Sequence, residues 1–431
     1  MQLAVNRGLM AASSNPGPGF GLPPADTGNR LLDRLNGVLT VLLHAERRID
    51  PFYRPLFDRL LREPLSDLAT AIINYRRSDQ GMALAEEREQ PDEAVLVDQI
   101  IAAFTRQMEA LWTAGHFERG GNTKTHGVVR AQLIVNDDLP EQLRHGLFSQ
   151  PRSYPAWVRF AGPGPYVTPD IDDVGFMSMS IKVMGVDGPK LLDDERHTQD
   201  MLCVSTPTFV TPDTRANVQL QQWSYKNAAI FYFYNFHRSH VLDSVMQFLW
   251  TKTQTSPLES EYFSCVPYLL GEGQAMKYSF HSRRTARTRV PRLPLRPPDN
   301  YLRDAMVSAL ATEDVEFDIC LQVQTDPFRM PIEDAAVLWP TKLSPRVPAA
   351  VLRIPRQSFD SPGQMDFARA LTYNPWHCIA EHRPLGNQSR ARRRMYWELS
   401  RLRQSRNHVE HYEPTGDEVF GASPGPASPD R

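Results

Sequence analysis

The sequence predicts an α+β protein in which an antiparallel β-region lies between two helical segments. Apolar residues recur at helical spacing before residue 116. From residue 126 onward, short segments rich in β-branched and aromatic residues are bounded by Gly, Pro and Asp, as is typical of strands. After residue 361 the pattern becomes helical again. Long connections between the strand segments favour an antiparallel barrel or sandwich over alternating βαβ units.

Bulk properties exclude several classes of protein. The 431 residues can bury a sizeable core and could form one large domain or two or three smaller ones. A formal net charge of -2 argues against a protein that coats nucleic acid. The sequence has no apolar run near the roughly 18–20 residues of a membrane span, and its N-terminus lacks a signal-peptide pattern. We therefore predict a soluble, cytoplasmic protein without a transmembrane segment.

The cysteine pattern also favours a cytoplasmic protein. Cys203, Cys265, Cys320 and Cys378 are far apart in the chain and form no CxxC pair. Free buried thiols in a reducing compartment are therefore expected, and a zinc site is disfavoured.

Composition divides the chain into five segments. Both ends are rich in Pro, Gly and Ser ("SSNPGPGFGLPPADTGN" and "GASPGPASPDR"), so they have little to bury and are predicted to be disordered. The predicted segments are a disordered tail at 1–30, a helical extension at 31–115, a β-core with a helical excursion at 116–360, C-terminal helices at 361–412 and a disordered tail at 413–431.

Three helices are expected in the extension. Their apolar residues recur every three or four positions. They are Leu31, Leu35, Val38 and Leu42 for the first helix, Leu65, Leu68 and Ile72 for the second, and Leu96, Ile100, Phe104, Met108 and Leu111 for the third. Pro91 and Asp92 suit the start of the third helix.

The β-core shows strand alternation most clearly in "VEFDICLQV". Val315, Phe317, Ile319 and Leu321 fall on one face of that strand. Between residues 212 and 253 the pattern becomes helical and aromatic ("NAAIFYFYNFHRSHVLDSVMQFLW").

The segment "RALTYNPWHC" carries the first candidate for chemistry. Arg369 and Tyr373 are four residues apart, so on a helix they would share a face. A free phenol has a pKa of about 10, and a neighbouring guanidinium favours the phenolate, which binds ferric iron. Tyrosinate is an axial ligand of haem iron. The alternative is a Tyr packed in the core with Arg capping its hydroxyl.

Three further polar residues stand at strand or loop positions. Arg159 lies inside the apolar strand "AWVRFAG", where a buried charge needs a carboxylate, either of the protein or of a cofactor propionate. Arg383 in "EHRPLG" is another candidate cation or a surface-loop arginine. His126 opens the strand "HGVVRAQLIV" and is either a catalytic group at the mouth of a pocket or an ordinary polar residue that ends a loop.

Taken in order, these motifs resemble the haem-dependent catalase superfamily. The resemblance rests on a His opening the first strand, an Arg in the second, "GF…IKV" in the third, "STPTF" after the fourth and RxxxY past the last strand. Supporting segments are "DDLPEQLRHGLF", "QTDPFRMPIEDAAVLWP" and "EHRPLG". The resemblance covers roughly residues 120–405. It is nearer to the catalase-related branch of smaller peroxidases and fatty-acid hydroperoxide-converting enzymes than to full-length catalases.

The resemblance implies a catalase-like antiparallel β-barrel that binds haem b with ferric, tyrosinate-ligated iron. Each candidate residue then has an expected role. His126 would be the distal histidine, and Phe209 would pack a ring on the distal face of the haem. Tyr373 would be the proximal ligand of the metal on a proximal haem helix, and Arg369 would keep the tyrosinate deprotonated. Arg159 would be a propionate partner, and Arg383 would be a cation of the C-terminal haem segment.

Two departures from the catalase pattern bear on the reaction. Catalases have an asparagine before their "NTP", and Val204 stands at that position. Thr125 precedes His126, as in the allene oxide synthase-like relatives. The Thr125 hydroxyl could bond the imidazole or a bound oxygen and so restrain the use of His126 as a general base.

The function that the resemblance implies is therefore a peroxidase-type haem oxidoreductase acting on hydrogen peroxide or organic hydroperoxides. His126 would move a proton between the two peroxide oxygens. The alternatives are a fatty-acid hydroperoxide isomerase or lyase and, more remotely, a non-enzymatic haem-binding or interaction protein. The aromatic segment "FYFYNF" would line an access route for an apolar substrate such as a lipid hydroperoxide, or form a core patch. A homo-oligomer is compatible with the sequence.

Two rival functions depend on other motifs. His237 and His240, or His408 and His411, are pairs at i,i+3 that would suit a metal hydrolase, but neither pair has a third ligand at a standard zinc spacing. The basic segment "RARRRMYWELSRLRQSR" would suit a nucleic-acid or interaction module. We favour a solvated basic helix there, with Met395, Leu399 and Leu402 turned to the core.

Overall fold

The computed structural model describes residues 24–77, 81–234 and 239–421. Its helices are α1 (Arg30–Phe57), α2 (Glu63–Arg76), α3 (Glu93–Leu111), α4 (Thr214–Ser224), α5 (Ile230–Phe233), α6 (Val241–Trp250), α7 (Tyr301–Leu310), α8 (Pro362–Ala370) and α9 (Asn387–Asn407). Its strands are β1 (Thr125–Val135), β2 (Ser153–Ala161), β3 (Ser178–Met184), β4 (Thr198–Val204), β5 (Tyr262–Phe263), β6 (Tyr268–Leu269), β7 (Ala275–Ser282), β8 (Val315–Val323) and β9 (Val347–Ile354). None of these helices combines the length and the apolar character of a membrane span.

The strands form a closed antiparallel barrel. Their order is β5-β4-β3-β2-β1-β9-β8-β7-β6, and every pairing is antiparallel. A further pairing between β5 and β7 closes eight of the strands into a ring, with β6 attached to β7. Closure leaves the ring without free edges. The predicted α+β class is confirmed, and the choice between barrel and sandwich is decided in favour of the barrel.

Strand alternation fills the barrel interior. Val315, Phe317, Ile319 and Leu321 of β8 are all buried in the largest apolar cluster, as their spacing predicts. Full burial of each such side chain contributes about 1.5–3 kcal/mol.

The same alternation turns polar residues of β2–β4 to the outer face of the barrel. Arg159 lies between Val158 and Phe160, which both belong to the core cluster, so its side chain projects outward. Ser180 of β3 and Leu202 of β4 likewise alternate with core residues. The outer face of these strands is therefore available to a second cluster, which includes Tyr373.

The helical extension is present, and a π-helical turn at Asp58–Arg62 joins α1 to α2. Its apolar residues lie on the outward side: Leu31 is 74% exposed and Leu68 is 57% exposed. The polar residues Asn36 and Arg54 are buried instead. In contrast, α3 begins after Asp92, as its sequence predicts, and packs against α4 and α9.

Parts of the two predicted tails are packed. Glu418 accepts a hydrogen bond from Trp157 Nε1 at 2.8 Å, and the Phe420 ring centroid lies 5.8 Å from that of Trp157. Near the other end, Asp26 N donates to Lys226 O at 3.0 Å. Residues of both predicted tails therefore contact the body of the protein: Asp26 at one end, and Glu418 and Phe420 at the other. The remaining predicted tail residues, 1–23 and 422–431, lie outside the described residues.

Candidate functional site

A cavity of about 310 Å³ lies between the outer face of β2–β4, the helices α3, α4 and α9, and the segment that follows α8. Its wall is largely apolar but contains two phenols, several hydroxyls and four guanidinium groups. The lining includes Phe104, Met108, Arg119, Arg159, Phe176, Leu202, Val204, Thr206, Phe209, Leu220, Thr372, Tyr373, Arg392, Met395, Tyr396, Leu399 and Arg403.

Tyr373 places a buried phenol in this wall. Helix α8 ends at Ala370, and Tyr373 follows in the connecting segment. Its side chain is buried, and among the described residues its hydroxyl has no hydrogen-bond partner. Burial raises the pKa of Tyr373 to about 12, and the charges of Arg159, Lys182 and Arg119 act in the opposite direction. Without a ligand the phenol is neutral, and its oxygen is available to one.

The four guanidinium groups of the wall belong to Arg119, Arg159, Arg392 and Arg403, and all four side chains are largely enclosed. Within the described chain, none of them forms a salt bridge with a carboxylate. Burial and the neighbouring Arg119 hold the pKa of Arg159 well below its ordinary value. Burial and Arg119 do the same to the pKa of Arg403.

Three of these guanidinium groups donate hydrogen bonds to uncharged oxygens, which offset part of the cost of burying their charge. Arg159 donates to Thr125 Oγ1 at 2.6 Å and to Asn122 O at 2.8 Å. Arg119 and Arg403 donate to Leu371 O, at 2.5 Å and 3.0 Å, beside the negative end of the α8 dipole.

The guanidinium of Arg392 has aromatic neighbours instead. It lies 5.7 Å from the Phe209 ring centroid and 5.5 Å from that of Tyr396. Buried cations without counter-ions are costly. The wall is therefore suited to a ligand that brings carboxylates.

Beneath Tyr373 lies a buried ion-pair network centred on Lys182. The Lys182 ammonium is 2.8 Å from Asp200 and also contacts Glu195. Burial opposes its charge, but Asp200 and Glu195 raise the pKa of Lys182 above its ordinary value. Asp200 also accepts hydrogen bonds from Asn374 N at 2.8 Å and from His377 at 2.9 Å, which ties the Tyr373 segment to β4.

His377 completes this network as a second cation. Burial opposes its protonation, but hydrogen bonds to Asp194 and Asp200 raise the pKa of His377 to about 9. Glu195, Asp200 and His377 bring together the kinds of atoms that bind metals. We assign them to the ion-pair network instead, because the Lys182 ammonium already lies between the two carboxylates.

His126 is buried outside the cavity wall. Its register explains the placement: Thr125 pairs with Ala161 and Gly127 with Phe160, so His126 is the extra residue of a β-bulge. Both ring nitrogens are without a hydrogen-bond partner in the described part of the chain, and Nδ1 is 3.8 Å from Asp170 Oδ1. Burial, then the charges of Lys124, Arg303 and Arg159, hold the pKa of His126 well below its ordinary value. The imidazole is therefore neutral.

Thr125 contacts Arg159 rather than the imidazole. Its Oγ1 accepts two hydrogen bonds from Arg159, at 2.6 Å and 3.2 Å, because the bulge turns Thr125 to the same face of the sheet as Arg159. The expected bond between Thr125 and His126 does not form between these residues.

Arg369 and Arg383 do not reach the cavity wall in the described structure. Arg369 pairs with Glu118 at 2.8 Å and with Asp366 at 2.9 Å. The expectation that Arg369 and Tyr373 share a helix face is wrong, because α8 ends between them. Arg383 pairs with Glu87 at 2.6 Å, in a partly exposed position.

The cavity thus brings together three of the candidate residues, Tyr373, Arg159 and Phe209, with Val204 beside them. Sequence reasoning missed Arg119, Arg392 and Arg403. The expectation of a solvated basic helix describes only part of α9: Arg393, Arg394 and Arg401 are exposed, whereas Arg392 and Arg403 are buried. The spacing of Arg392, Met395, Leu399 and Arg403 was a usable signal, because these positions share one helix face.

The other histidine and aromatic candidates lie elsewhere. His240 Nδ1 is 2.9 Å from Asp243, and its ring stacks on Tyr232. His237 lies outside the described residues. His411 Nε2 is 3.5 Å from Glu195, whereas His408 ends α9. The described part of "FYFYNF", residues 231–234, does not contribute to the cavity wall, which receives Leu220 from α4 instead.

Comparisons with known proteins identify the architecture. No protein-family model matches the sequence, and no curated protein matches it. A fungal catalase structure is similar with a TM-score of 0.53 at 14% identity, covering 80% of this chain and 70% of that one. Catalase A from Saccharomyces cerevisiae is similar with a TM-score of 0.53 at 12% identity, covering 77% and 68%. The closed barrel and its flanking helices therefore have the catalase-like fold.

Proposed function

We propose that this chain is a haem-dependent oxidoreductase that reacts with peroxides, and that Tyr373 is the axial ligand of haem b. One observation carries the proposal. A buried phenol without a hydrogen-bond partner lies in a cavity whose four guanidinium groups have no carboxylate partners in the described chain.

The residues fit this cofactor in three respects. Haem is flat and apolar, and Phe104, Met108, Phe176 and Leu202 give the cavity an apolar wall. Its two propionates would supply the anionic partners that the guanidinium groups lack. A phenolate oxygen is a haem ligand, and the Tyr373 hydroxyl oxygen has no hydrogen-bond partner among the described residues.

Bound haem would supply the redox chemistry with peroxide. The chain's own residues prepare its site. Tyr373 must lose the proton on its hydroxyl, and the charges of Arg159, Lys182 and Arg119 lower the cost of doing so. Arg159 and Arg392 are our candidates for holding the propionates, because Arg159 is the cation that acts most strongly on the Tyr373 hydroxyl and Nη1 of Arg392 has no hydrogen-bond partner in the described chain.

Proton transfer on the peroxide is proposed for His126. A neutral imidazole with free nitrogens is a competent proton acceptor. Because His126 lies outside the cavity wall, its ring must turn towards the cavity before it can exchange a proton with a substrate there. Burial, and then the cations that surround the ring, disfavour the protonated imidazole.

A peroxidase-type reaction is favoured over rapid dismutation of hydrogen peroxide. Val204 lines the cavity and offers no amide to a bound peroxide. Leu220, Met395 and Leu399 extend the apolar wall between α4 and α9. This extension supports organic hydroperoxides, including lipid hydroperoxides, as substrates, and it makes hydroperoxide isomerisation or lysis the second candidate. Four free, buried cysteines support the proposed cytoplasmic location.

The test is to load the full chain with haem and assay three reactions side by side. These are oxygen release from hydrogen peroxide, oxidation of a phenolic co-substrate, and consumption of a fatty-acid hydroperoxide. We expect co-substrate oxidation or hydroperoxide conversion to exceed oxygen release. Failure to bind haem in the cavity contradicts the proposal, and oxygen release as the dominant reaction contradicts the peroxidase assignment.

A further inference from the structure

Helix α1 has an apolar seam, which we define as its outward residues at alternating spacings of four and three. They are Leu31, Leu35, Val38, Leu42, Ala45, Ile49, Phe52 and Leu56, and all of them are exposed. Leu31 is 74% exposed, Phe52 70% and Leu56 64%. Alternation of three and four residues is the heptad pattern by which one helix packs against another in a coiled coil.

The seam continues through the π-helical turn at Asp58–Arg62 into α2. It resumes at Leu61 within the turn and goes on at Leu65, Leu68, Ile72 and Tyr75 of α2, again at spacings of four and three. We call α1, the π-helical turn and α2 together the arm (Arg30–Arg76). A π-helical turn takes up an additional residue. The five-residue step from Leu56 to Leu61 therefore keeps both halves of the seam on the same side of the arm.

Polar contacts with the body fix which side of the arm faces outward. Arg48 pairs with Asp172 at 3.0 Å, and Arg54 donates to the carbonyl oxygens of Phe248 and Leu249. Asp50 accepts a hydrogen bond from Thr253 N. With its polar side bound to the body, the arm cannot rotate to bury its seam.

We propose that the seam of α1 and α2 pairs with the same seam of a second copy of this chain. At a rise of about 1.5 Å per residue, α1 alone offers a ridge about 42 Å long. With its continuation in α2, a ridge about 10 Å wide offers an area close to the roughly 800 Å² that each partner contributes to a standard interface. Exposed apolar patches on monomers are normally a few hundred Å².

A second copy is the occupant that this surface fits best. Leu295 and Val419 are isolated exposed apolar residues, and the exposed row Val241, Val245 and Phe248 of α6 spans only two helical turns, so the seam is the longest apolar ridge in the described chain. An identical seam is the complementary surface, and a two-fold axis closes the pair. A membrane fits less well, because Glu63 and Asp67 are exposed on the same helix as Leu65 and Leu68 and would have to approach the lipid.

The test measures the mass of the full chain at micromolar concentration by light scattering after size exclusion. We expect at least a dimer. The double variant Leu35→Glu/Leu42→Glu places like charges in the seam, and we expect its mass to fall twofold or more. Leu295→Glu, at an 86% exposed position outside the arm, is the matched control and should keep the mass of the original chain.

Two further measurements make the result decisive. Far-UV circular dichroism should show the same helix content in all three proteins, because the substituted residues are exposed. If the first double variant is misfolded, Ile49→Gln/Phe52→Gln provides the same test. A monomeric original chain, or seam variants that keep its mass, would overturn the proposal. So would a monomer that floats with phosphatidylcholine–phosphatidylglycerol vesicles and loses this binding in the seam variants.

Discussion

The Lys182 ammonium lies 5.5 Å from the centroid of the Tyr373 ring. Together with Arg159 and Arg119, it lowers the pKa of a phenol that burial raises to about 12. Two of these cations come from β2 and β3. The resemblance to catalases assigned this support to Arg369, which here pairs with Glu118 and Asp366.

Lys182→Met should destabilise the apo-protein by about 3–5 kcal/mol, because it leaves the buried Glu195 and Asp200 without their shared cation. The measurement is the free energy of unfolding from urea titration. Lys342→Met is the matched control, since Lys342 is exposed and pairs with Asp67 at the surface. A loss below about 1 kcal/mol would show that the network does not hold the Tyr373 segment in place.

Stability should decline between about pH 6.5 and pH 9 because of His377. Its pKa is about 9 in the folded state, above the unfolded value of about 6.5. The contribution is therefore complete below pH 6.5 and is lost as the pH rises through 9, amounting to a few kcal/mol. Unfolding titrations across this range should show the decline, and His377→Gln should flatten it. The same slope in both proteins would assign the pH dependence to other groups.

Arg159→Met should separate haem binding from folding. Arg159 is buried and has no carboxylate partner in the described structure, so its removal relieves a desolvation cost. We expect the apo-protein to lose less than about 1 kcal/mol, while haem affinity falls at least tenfold, about 1.4 kcal/mol. Haem titration and urea unfolding measure the two effects, with Arg353→Met as an exposed control. Unchanged haem affinity would remove Arg159 from the propionate site.

His126→Gln should keep haem but lose peroxide turnover by about 10²–10⁴-fold, the usual contribution of an acid–base residue. The buried imidazole carries no hydrogen bond to a described residue, so the substitution breaks none. Haem stoichiometry and turnover are measured on the same sample. Turnover equal to that of the original chain would mean that His126 remains outside the cavity during the reaction.

The strands were predictable because the alternation of apolar residues is a local pattern. Part of the site was predictable because its motifs follow a recognisable order along the chain. The alternation of Val315, Phe317, Ile319 and Leu321 predicts their shared burial, and the structure shows it. Tyr373 and Arg159 were identified from the order of motifs, and both line the cavity.

The rest depends on tertiary packing. The end of α8 at Ala370 had a weak signal in Pro375, since the residue before a proline disfavours helix, but the four-residue spacing of Arg369 and Tyr373 suggested the opposite. The bulge at His126 had only a weak signal in Gly127, since a glycine inside a strand often marks a bulge. The burial of Arg392 was missed because α9 is strongly basic, and composition alone cannot distinguish a charge that faces solvent from one that faces a ligand.

The central claim is that Tyr373 holds ferric haem in this cavity. The most direct measurement is the haem stoichiometry and ferric spectrum of the full chain compared with those of Tyr373→Phe. Tyr396→Phe is a control that alters another phenol of the same wall. We expect one haem per chain with a high-spin ferric spectrum in the original and in Tyr396→Phe, and loss of stable haem in Tyr373→Phe. Full occupancy with an unchanged spectrum in Tyr373→Phe would contradict it.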